Sequence, residues 1–156
     1  MARGLYYKGA PTRYGMVRPS PESVALEIAG PAGVGPAGVS AARALGLTTQ
    51  LPVRPELAVV GRLPKGVHDV HLVSRANKLR MGLSYLEIAV LETLRSWRST
   101  VEGGWSAFVT AVKDLVKVGR VRLDNVHAAA GKEHNTALAE SLTRLFDALP
   151  AAGATA

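Results

Sequence analysis

The chain has 156 residues, and its 19 lysines and arginines against 12 acids give a net charge of +7. Because 47% of the residues are apolar, a chain of this length can form one domain with a hydrophobic core. The absence of cysteine excludes a disulfide scaffold, a thiolate metal site and a cysteine nucleophile. No apolar run approaches the roughly 20 residues of a membrane helix, and the N-terminus lacks the apolar core of a secretion signal. We therefore expect a cytoplasmic protein without a membrane partner.

The positive charge is concentrated in three stretches. The first twenty residues hold four cations, and no acid occurs before Glu22. Between residues 62 and 80 five cations face only Asp69, and between residues 113 and 122 four cations face only Asp114. Such clusters on an otherwise balanced chain are typical of a binding surface. The cations are Arg3, Lys8, Arg13 and Arg18; then Arg62, Lys65, Arg75, Lys78 and Arg80; then Lys113, Lys117, Arg120 and Arg122.

The first cluster interleaves its cations with aromatic residues. The β-prone residues Leu5, Tyr6 and Tyr7 predict a short strand over Gly4–Lys8. Cations that alternate with aromatics are typical of a nucleic-acid surface, where a basic hairpin places Arg and Lys side chains along the phosphates. A solvated edge strand protected by its charges explains the same residues equally well. Composition alone leaves both interpretations open.

Capping and turn residues divide the first half of the chain into short elements. Ser20-Pro21-Glu22 predicts a helix start, with Ser20 as the N-cap and Pro21 in the first helical position. Gly30-Pro31 predicts the end of that helix. The other elements predicted here are a small-residue helix over Val39–Leu45 closed by Gly46, and strands over residues 56–60 and 67–73 joined by a turn at Pro64-Lys65-Gly66.

Apolar residues repeat at helical spacing through the second half of the chain. The clearest stripe runs from Leu83 to Trp97. A second helix is predicted between the Gly103-Gly104 break and Gly119, and Asp124 is the expected cap of a third. The fourth predicted helix is lined by Leu138, Leu142, Leu145, Phe146 and Leu149.

The order of these elements predicts an α+β fold. A short N-terminal strand or wing remnant and a small β-sheet with helices come first, and a helical half follows. We expect one domain over residues 1–150, made of a basic wing-like segment (1–18), a body (19–97) and C-terminal helices (98–150). Residues 151–156 have nothing to bury and are expected to form a disordered tail.

Two sequence patterns resemble cofactor or metal sites, but the residues and elements around them do not fit such sites. The run Gly33–Gly38 matches G-x-G-x-x-G, but it follows a predicted helix rather than a strand, and Pro36 removes an N–H group from the loop. We therefore interpret it as a connection between two helices. His68 and His71 fall on opposite faces of a predicted strand, and no H-E-x-x-H motif occurs. We expect no cofactor, no metal and no catalytic activity.

Several segments of the chain resemble those of a known family and occur in the same order. Arg3-Gly4-Leu5-Tyr6-Tyr7-Lys8 is similar to the R-G-[LVI]-Y-[YA]-x segment that closes the winged helix-turn-helix of AbiEi-like antitoxins, the transcriptional regulators of type IV toxin–antitoxin systems. Ser20-Pro21-Glu22, the small-residue helix with its Gly46-Leu47 end, the strand pair and Leu86–Leu94 follow in the family's order. The resemblance spans most of residues 3–97.

This resemblance implies a non-catalytic bacterial antitoxin and transcriptional autoregulator that neutralises a nucleotidyltransferase-like toxin. Family members carry a complete winged helix-turn-helix before the matched segment, and this chain begins at that segment. We therefore expect contacts to DNA phosphates rather than sequence reading by a recognition helix. The alternative is a basic protein that binds RNA or the ribosome. The expected nucleic-acid contacts are Arg3, Tyr6, Lys8, Arg13, Arg18, Arg75, Lys78 and Arg80.

Overall fold

The computed structural model describes residues 20–149 and two short strands that precede them. Strands and helices are mixed up to residue 82, and four helices follow, which confirms the predicted α+β fold with a helical C-terminal half. The strand predicted over Gly4–Lys8 and the tail predicted over residues 151–156 lie outside the described residues. The elements are β1 (Ala10–Thr12), β2 (Gly15–Val17), α1 (Pro21–Ala29), β3 (Gly35–Pro36), α2 (Gly38–Ala44), β4 (Glu56–Val60), β5 (His71–Arg75), a 3₁₀ helix (Lys78–Gly82), α3 (Tyr85–Thr100), α4 (Gly104–Lys117), α5 (Leu123–Ala130) and α6 (Thr136–Ala148).

Helix α1 begins and ends where its capping residues predict. The Ser20 hydroxyl accepts a hydrogen bond from the Ser23 N–H at 3.1 Å, and Pro21 occupies the first helical position, where no N–H is needed. Gly30 ends the helix at φ 80°, a backbone conformation that glycine adopts without a Cβ clash. Local sequence is therefore sufficient to place this helix.

The three-stranded sheet has the order β3-β4-β5, and its two longer strands run parallel. Glu56 pairs with His71 and Val60 with Arg75, so the predicted hairpin over residues 56–73 is wrong. Instead of continuing as a strand, the connection packs Val67 and Val70 against Ala25 and Leu57. This anchoring carries the chain back beside the start of β4, because parallel strands require such a return path.

The glycine-rich run does connect two helices, α1 and α2, and it contributes the edge strand β3. Gly35 pairs with Ala58 of β4 and lies directly against α3. A Cβ atom on Gly35 would stand 2.4 Å from the Cβ atom of Ile88. The backbone of β3 can therefore approach α3 this closely only with glycine at that position.

Helix α3 is the centre of the larger hydrophobic core, as its apolar stripe predicts. Its start is a capping box, in which the Ser84 hydroxyl accepts from the Glu87 N–H and the Glu87 carboxylate accepts from the Ser84 N–H. The helix continues to Thr100, so the predicted boundary between residues 97 and 98 falls inside it. Its core partners include Phe108 and Val112 of α4, Val126 of α5, and Leu138, Leu142 and Leu145 of α6.

The sequence predictions for α5 and α6 need two corrections. Asp124 lies within the first turn of α5, and Arg122 occupies the N-cap position without a capping hydrogen bond from its side chain. Phe146 is 36% exposed on α6, where its ring packs edge-on against His127 with centroids 4.7 Å apart. The remaining predicted leucines of α6 are buried or half-buried. In the part of the chain that the structure describes, no helix is long and apolar enough to span a membrane.

Candidate functional site

The N-terminal basic cluster contains a two-stranded antiparallel ribbon. Strands β1 and β2 pair with the register Ala10↔Val17 and Thr12↔Gly15, and the chain then enters α1. The five residues predicted to contact nucleic acid from this segment lie outside the described residues, so their contacts stay a prediction. These residues are Arg3, Tyr6, Lys8, Arg13 and Arg18.

The structure brings Arg75 and Arg80 of the middle cluster together at Glu92, so two of the three contacts predicted from this cluster form ion pairs inside the fold. Arg80 has no exposed side-chain surface, and its Nη2 atom lies 2.7 Å from both Glu92 Oε2 and Glu133 Oε1. The prediction that Arg80 contacts nucleic acid is therefore wrong, because a phosphate cannot reach it. Arg75 donates to Glu92 through Nε at 3.0 Å and Nη2 at 2.9 Å. A phosphate would bind the same Nε and Nη2 edge of Arg75 that Glu92 already occupies. Of the three predicted contacts, Lys78 is the exposed one.

Glu133 completes this ion network from the loop between α5 and α6. It accepts hydrogen bonds from Nε and Nη2 of Arg80 at 3.1 and 2.7 Å, and from Nη1 of Arg95 at 3.1 Å. Asn77 also donates to Glu133 and to the backbone oxygen of Ala129. One side chain thus ties α3 and the residues after β5 to the loop between α5 and α6. The network has an architectural role that its sequence clustering does not reveal.

The buried carboxyl groups of the network are held in their charged form. Burial by itself raises the pKa of a carboxyl group. In Glu92 the hydrogen bond from Arg75 and the charge of Arg80 outweigh burial and lower the pKa. In Glu133 the hydrogen bonds from Arg80 and Asn77 do the same. Both glutamates are therefore ionised at neutral pH and counterbalance the arginines around them.

A second buried carboxylate engages the third basic cluster. Glu87 is 1% exposed and accepts from the side chain of Arg122 at 2.8 and 2.9 Å and from its backbone N–H at 2.7 Å. Burial opposes ionisation of Glu87, but these bonds and the one from the Ser84 N–H outweigh it and lower the pKa to about 2. The guanidinium of Arg122 is therefore engaged by Glu87. Lys113, Lys117 and Arg120 of the same cluster are exposed.

Sequence reasoning missed a cluster of aromatic rings and arginines at the C-terminal end of α3. The rings of Trp97 and Trp105 lie 5.0 Å apart, centroid to centroid. The guanidinium carbon of Arg98 stands 4.7 Å from the Trp97 ring, and that of Arg144 stands 5.3 Å from Trp97 and 4.7 Å from Trp105. The adjacent pair Trp97-Arg98 is the sequence signal for this cluster, but the contribution of Arg144 from α6 depends on the tertiary fold.

A small cavity opens beside this cluster. Its volume is about 130 Å³, and its lining includes Trp97, Arg98, Glu140 and Ser141. The indole N–H of Trp97 donates to the Ser141 hydroxyl at 3.1 Å, which fixes the ring between α3 and α6. Within the described ranges, no three histidine or acidic side chains lie together as metal ligands would.

No family model matches the chain, and no curated protein matches it. Among solved structures the chain is similar to the RV2827C protein from Mycobacterium tuberculosis, with a TM-score of 0.45 and 21% sequence identity. The match covers 74% of this chain and 48% of that one, so the chain spans about half the length of the protein it matches. At this TM-score the likeness is too weak to bear on function.

Proposed function

We propose that the chain is a non-catalytic, cytoplasmic antitoxin and transcriptional autoregulator of a bacterial type IV toxin–antitoxin system. It contacts DNA phosphates through its basic N-terminal segment and neutralises a nucleotidyltransferase-like toxin. We infer the DNA contact because β1 and β2 form a ribbon within a segment that holds four cations and no acid. A two-stranded ribbon is narrow enough to follow a groove of duplex DNA. The strands themselves contain no cation, but Arg13 falls between them in sequence and Arg18 follows β2, and such cations can neutralise phosphates.

The distribution of ion pairs supports this assignment to the N-terminal segment. All 12 acids of the chain follow residue 21, so the four N-terminal cations have no acidic neighbour in sequence. In the body, by contrast, Arg75, Arg80, Arg95 and Arg122 each pair with a buried glutamate. Within residues 20–149 the body also exposes unpaired cations, among them Lys78, Lys113 and Lys117. The assignment therefore rests on the N-terminal segment because no other acid-free stretch of the sequence holds as many as four cations.

The antitoxin assignment rests on the family resemblance of residues 3–97. The Ser20-Pro21 helix start and the small-residue helix α2 occur in the order that the resemblance requires. Neutralisation can be tested by co-expression. A nucleotidyltransferase-like toxin encoded beside this chain should arrest growth when expressed alone, and co-expression with the full chain should restore growth. Growth arrest that persists despite soluble expression of the chain contradicts the antitoxin assignment.

The DNA contact is tested by the salt dependence of binding to a labelled duplex, measured by fluorescence anisotropy. Each neutralised phosphate contributes about −0.9 to the slope of log K against log salt, so four contacts give a slope of about −3.6. The double variant Lys8→Ala/Arg13→Ala should flatten the slope by nearly two units and weaken binding to all sequences alike, because phosphate contacts carry no sequence information.

A matched control removes two positive charges from another surface. The double variant Arg98→Ala/Arg144→Ala should leave the slope unchanged, although it lowers the net charge equally. Equal flattening by both double variants would show nonspecific attraction and contradict a defined DNA contact. Substantially tighter binding to duplex RNA than to duplex DNA at the same salt concentration would instead favour an RNA-binding or ribosome-binding protein.

A further inference from the structure

Both tryptophans of the chain lie in one partly exposed cluster on the helical half. We call Trp97, Trp105, Arg98 and Arg144 the tryptophan–arginine surface. Each indole is half-buried, and each arginine is exposed. Trp105 also packs on the buried ring of Phe108 with centroids 5.5 Å apart, so the surface stands on the core rather than on a loop. Such rigid support is a property of residues that contribute most to protein–protein binding, among which Trp and Arg are enriched.

The two arginines of this surface differ from those of the interior in what they bind. Within residues 20–149, the side chains of Arg98 and Arg144 form no ion pair and no hydrogen bond, although each guanidinium stands over an indole. A guanidinium over an aromatic ring still presents N–H groups that can bind a carboxylate in bidentate fashion. The indoles restrain these side chains, so less conformational entropy is lost when an anion binds.

The surroundings favour a protein ligand over a nucleic acid. Glu140 lines the adjacent cavity together with Arg98, and its carboxylate repels a continuous run of phosphates. A folded or extended protein segment can instead place discrete carboxylates on the arginines and avoid Glu140. The cavity of about 130 Å³ next to Trp97 offers space for a side chain that neighbours those carboxylates.

We propose that the tryptophan–arginine surface binds an acidic segment of a protein partner. Aspartate or glutamate carboxylates of that segment pair with Arg98 and Arg144, and an adjacent apolar side chain packs against the indole of Trp97. This proposal does not depend on the proposed DNA contact of the N-terminal segment.

Intrinsic fluorescence provides a direct test, because both tryptophans of the chain report on this surface. The full chain is titrated with a short peptide of alternating Glu and Leu residues, and a matched peptide with Gln in place of Glu serves as the uncharged control. We expect a saturable fluorescence change with the acidic peptide only. The Arg98→Ala/Arg144→Ala variant should bind it at least about tenfold more weakly, whereas Lys8→Ala/Arg13→Ala should bind like the wild type.

The conservative variant Arg98→Lys/Arg144→Lys separates the guanidinium groups from net charge, and its native fold is checked by circular dichroism. It should also lose affinity, because an ammonium group cannot form the planar bidentate contact. The proposal would be overturned by no saturable binding by the wild type, by equal weakening in the Arg98/Arg144 and Lys8/Arg13 alanine variants, or by full affinity in the lysine variant. Tighter binding to oligothymidylate than to the peptide, lost on Arg98→Ala/Arg144→Ala, would make the surface a nucleic-acid site and equally overturn it.

Discussion

Arg95 and Arg98 are three residues apart on the same helix, yet they belong to opposite kinds of environment. Arg95 donates to Glu133 inside the ion network, where Arg80 is fully buried. Arg98 stands over Trp97 at the surface, and no carboxylate among residues 20–149 forms an ion pair with it. A run of basic residues therefore does not by itself define a binding surface. Whether an arginine is available depends on the acids that the fold brings to it.

The two environments also differ in energy. Removing one partner of a buried ion pair leaves an uncompensated charge in a medium of low dielectric constant, which costs about 3–5 kcal/mol. An exposed cation over an aromatic ring contributes only about 0.5–1 kcal/mol. Mutations in the network should therefore act on stability, and mutations in the tryptophan–arginine surface should act on binding.

The largest effect is expected for Glu133→Ala. This change removes the carboxylate that Arg80 and Arg95 share, and it should lower the free energy of unfolding by about 3–5 kcal/mol. Urea denaturation followed by circular dichroism measures the loss. Glu140→Ala removes an exposed carboxylate from α6 and should change stability by less than about 0.5 kcal/mol. A loss below about 1 kcal/mol for Glu133→Ala would show that the bonds from Arg80 and Arg95 to Glu133 do not stabilise the fold.

A smaller effect is expected on acidification. Glu87, Glu92 and Glu133 have lowered pKa values in the folded protein, so they stabilise the fold above the pKa of an unfolded glutamate and lose that contribution as the pH falls. Glu87 alone, with a folded pKa of about 2 against about 4.3 in the unfolded chain, should cost about 0.6 kcal/mol between pH 7 and pH 4, with a further loss toward pH 2. Glu92 and Glu133 act in the same direction.

Urea denaturation at a series of pH values measures this dependence. Glu87→Gln is the informative variant, because its amide cannot titrate. It should be less stable than the wild type at pH 7 and should lose less stability on acidification. An acid-induced loss that is the same in both proteins would show that the lowered pKa of Glu87 does not contribute to folding.

The smallest effect on stability is expected at the tryptophan–arginine surface. Arg98→Ala and Arg144→Ala should each change the free energy of unfolding by less than about 1 kcal/mol, because only exposed contacts between a cation and an aromatic ring are lost. Thermal denaturation measures this effect, and tryptophan emission should shift as the indoles gain solvent. A loss as large as that of Glu133→Ala would mean that these arginines are structural, and the contrast between the two clusters would disappear.

Much of the fold follows from local signals that can be read in sequence. The Ser20-Pro21 start of α1 and the long apolar stripe of α3 each depend on residues within one or two helical turns. Helix capping and amphipathic periodicity act over the same short distance. The predicted α+β fold class and the helical C-terminal half are therefore confirmed.

Local sequence patterns are sufficient to place both ends of α1, the buried stripe of α3 and the stretches of positive charge. They do not show that β4 and β5 run parallel, that Arg80 is buried, or that Arg144 reaches the two tryptophans. The physical reason is that these features join residues far apart in the chain. Arg80 and Glu133 meet across 53 positions, and the identity of such a partner depends on how the helices pack rather than on any local pattern.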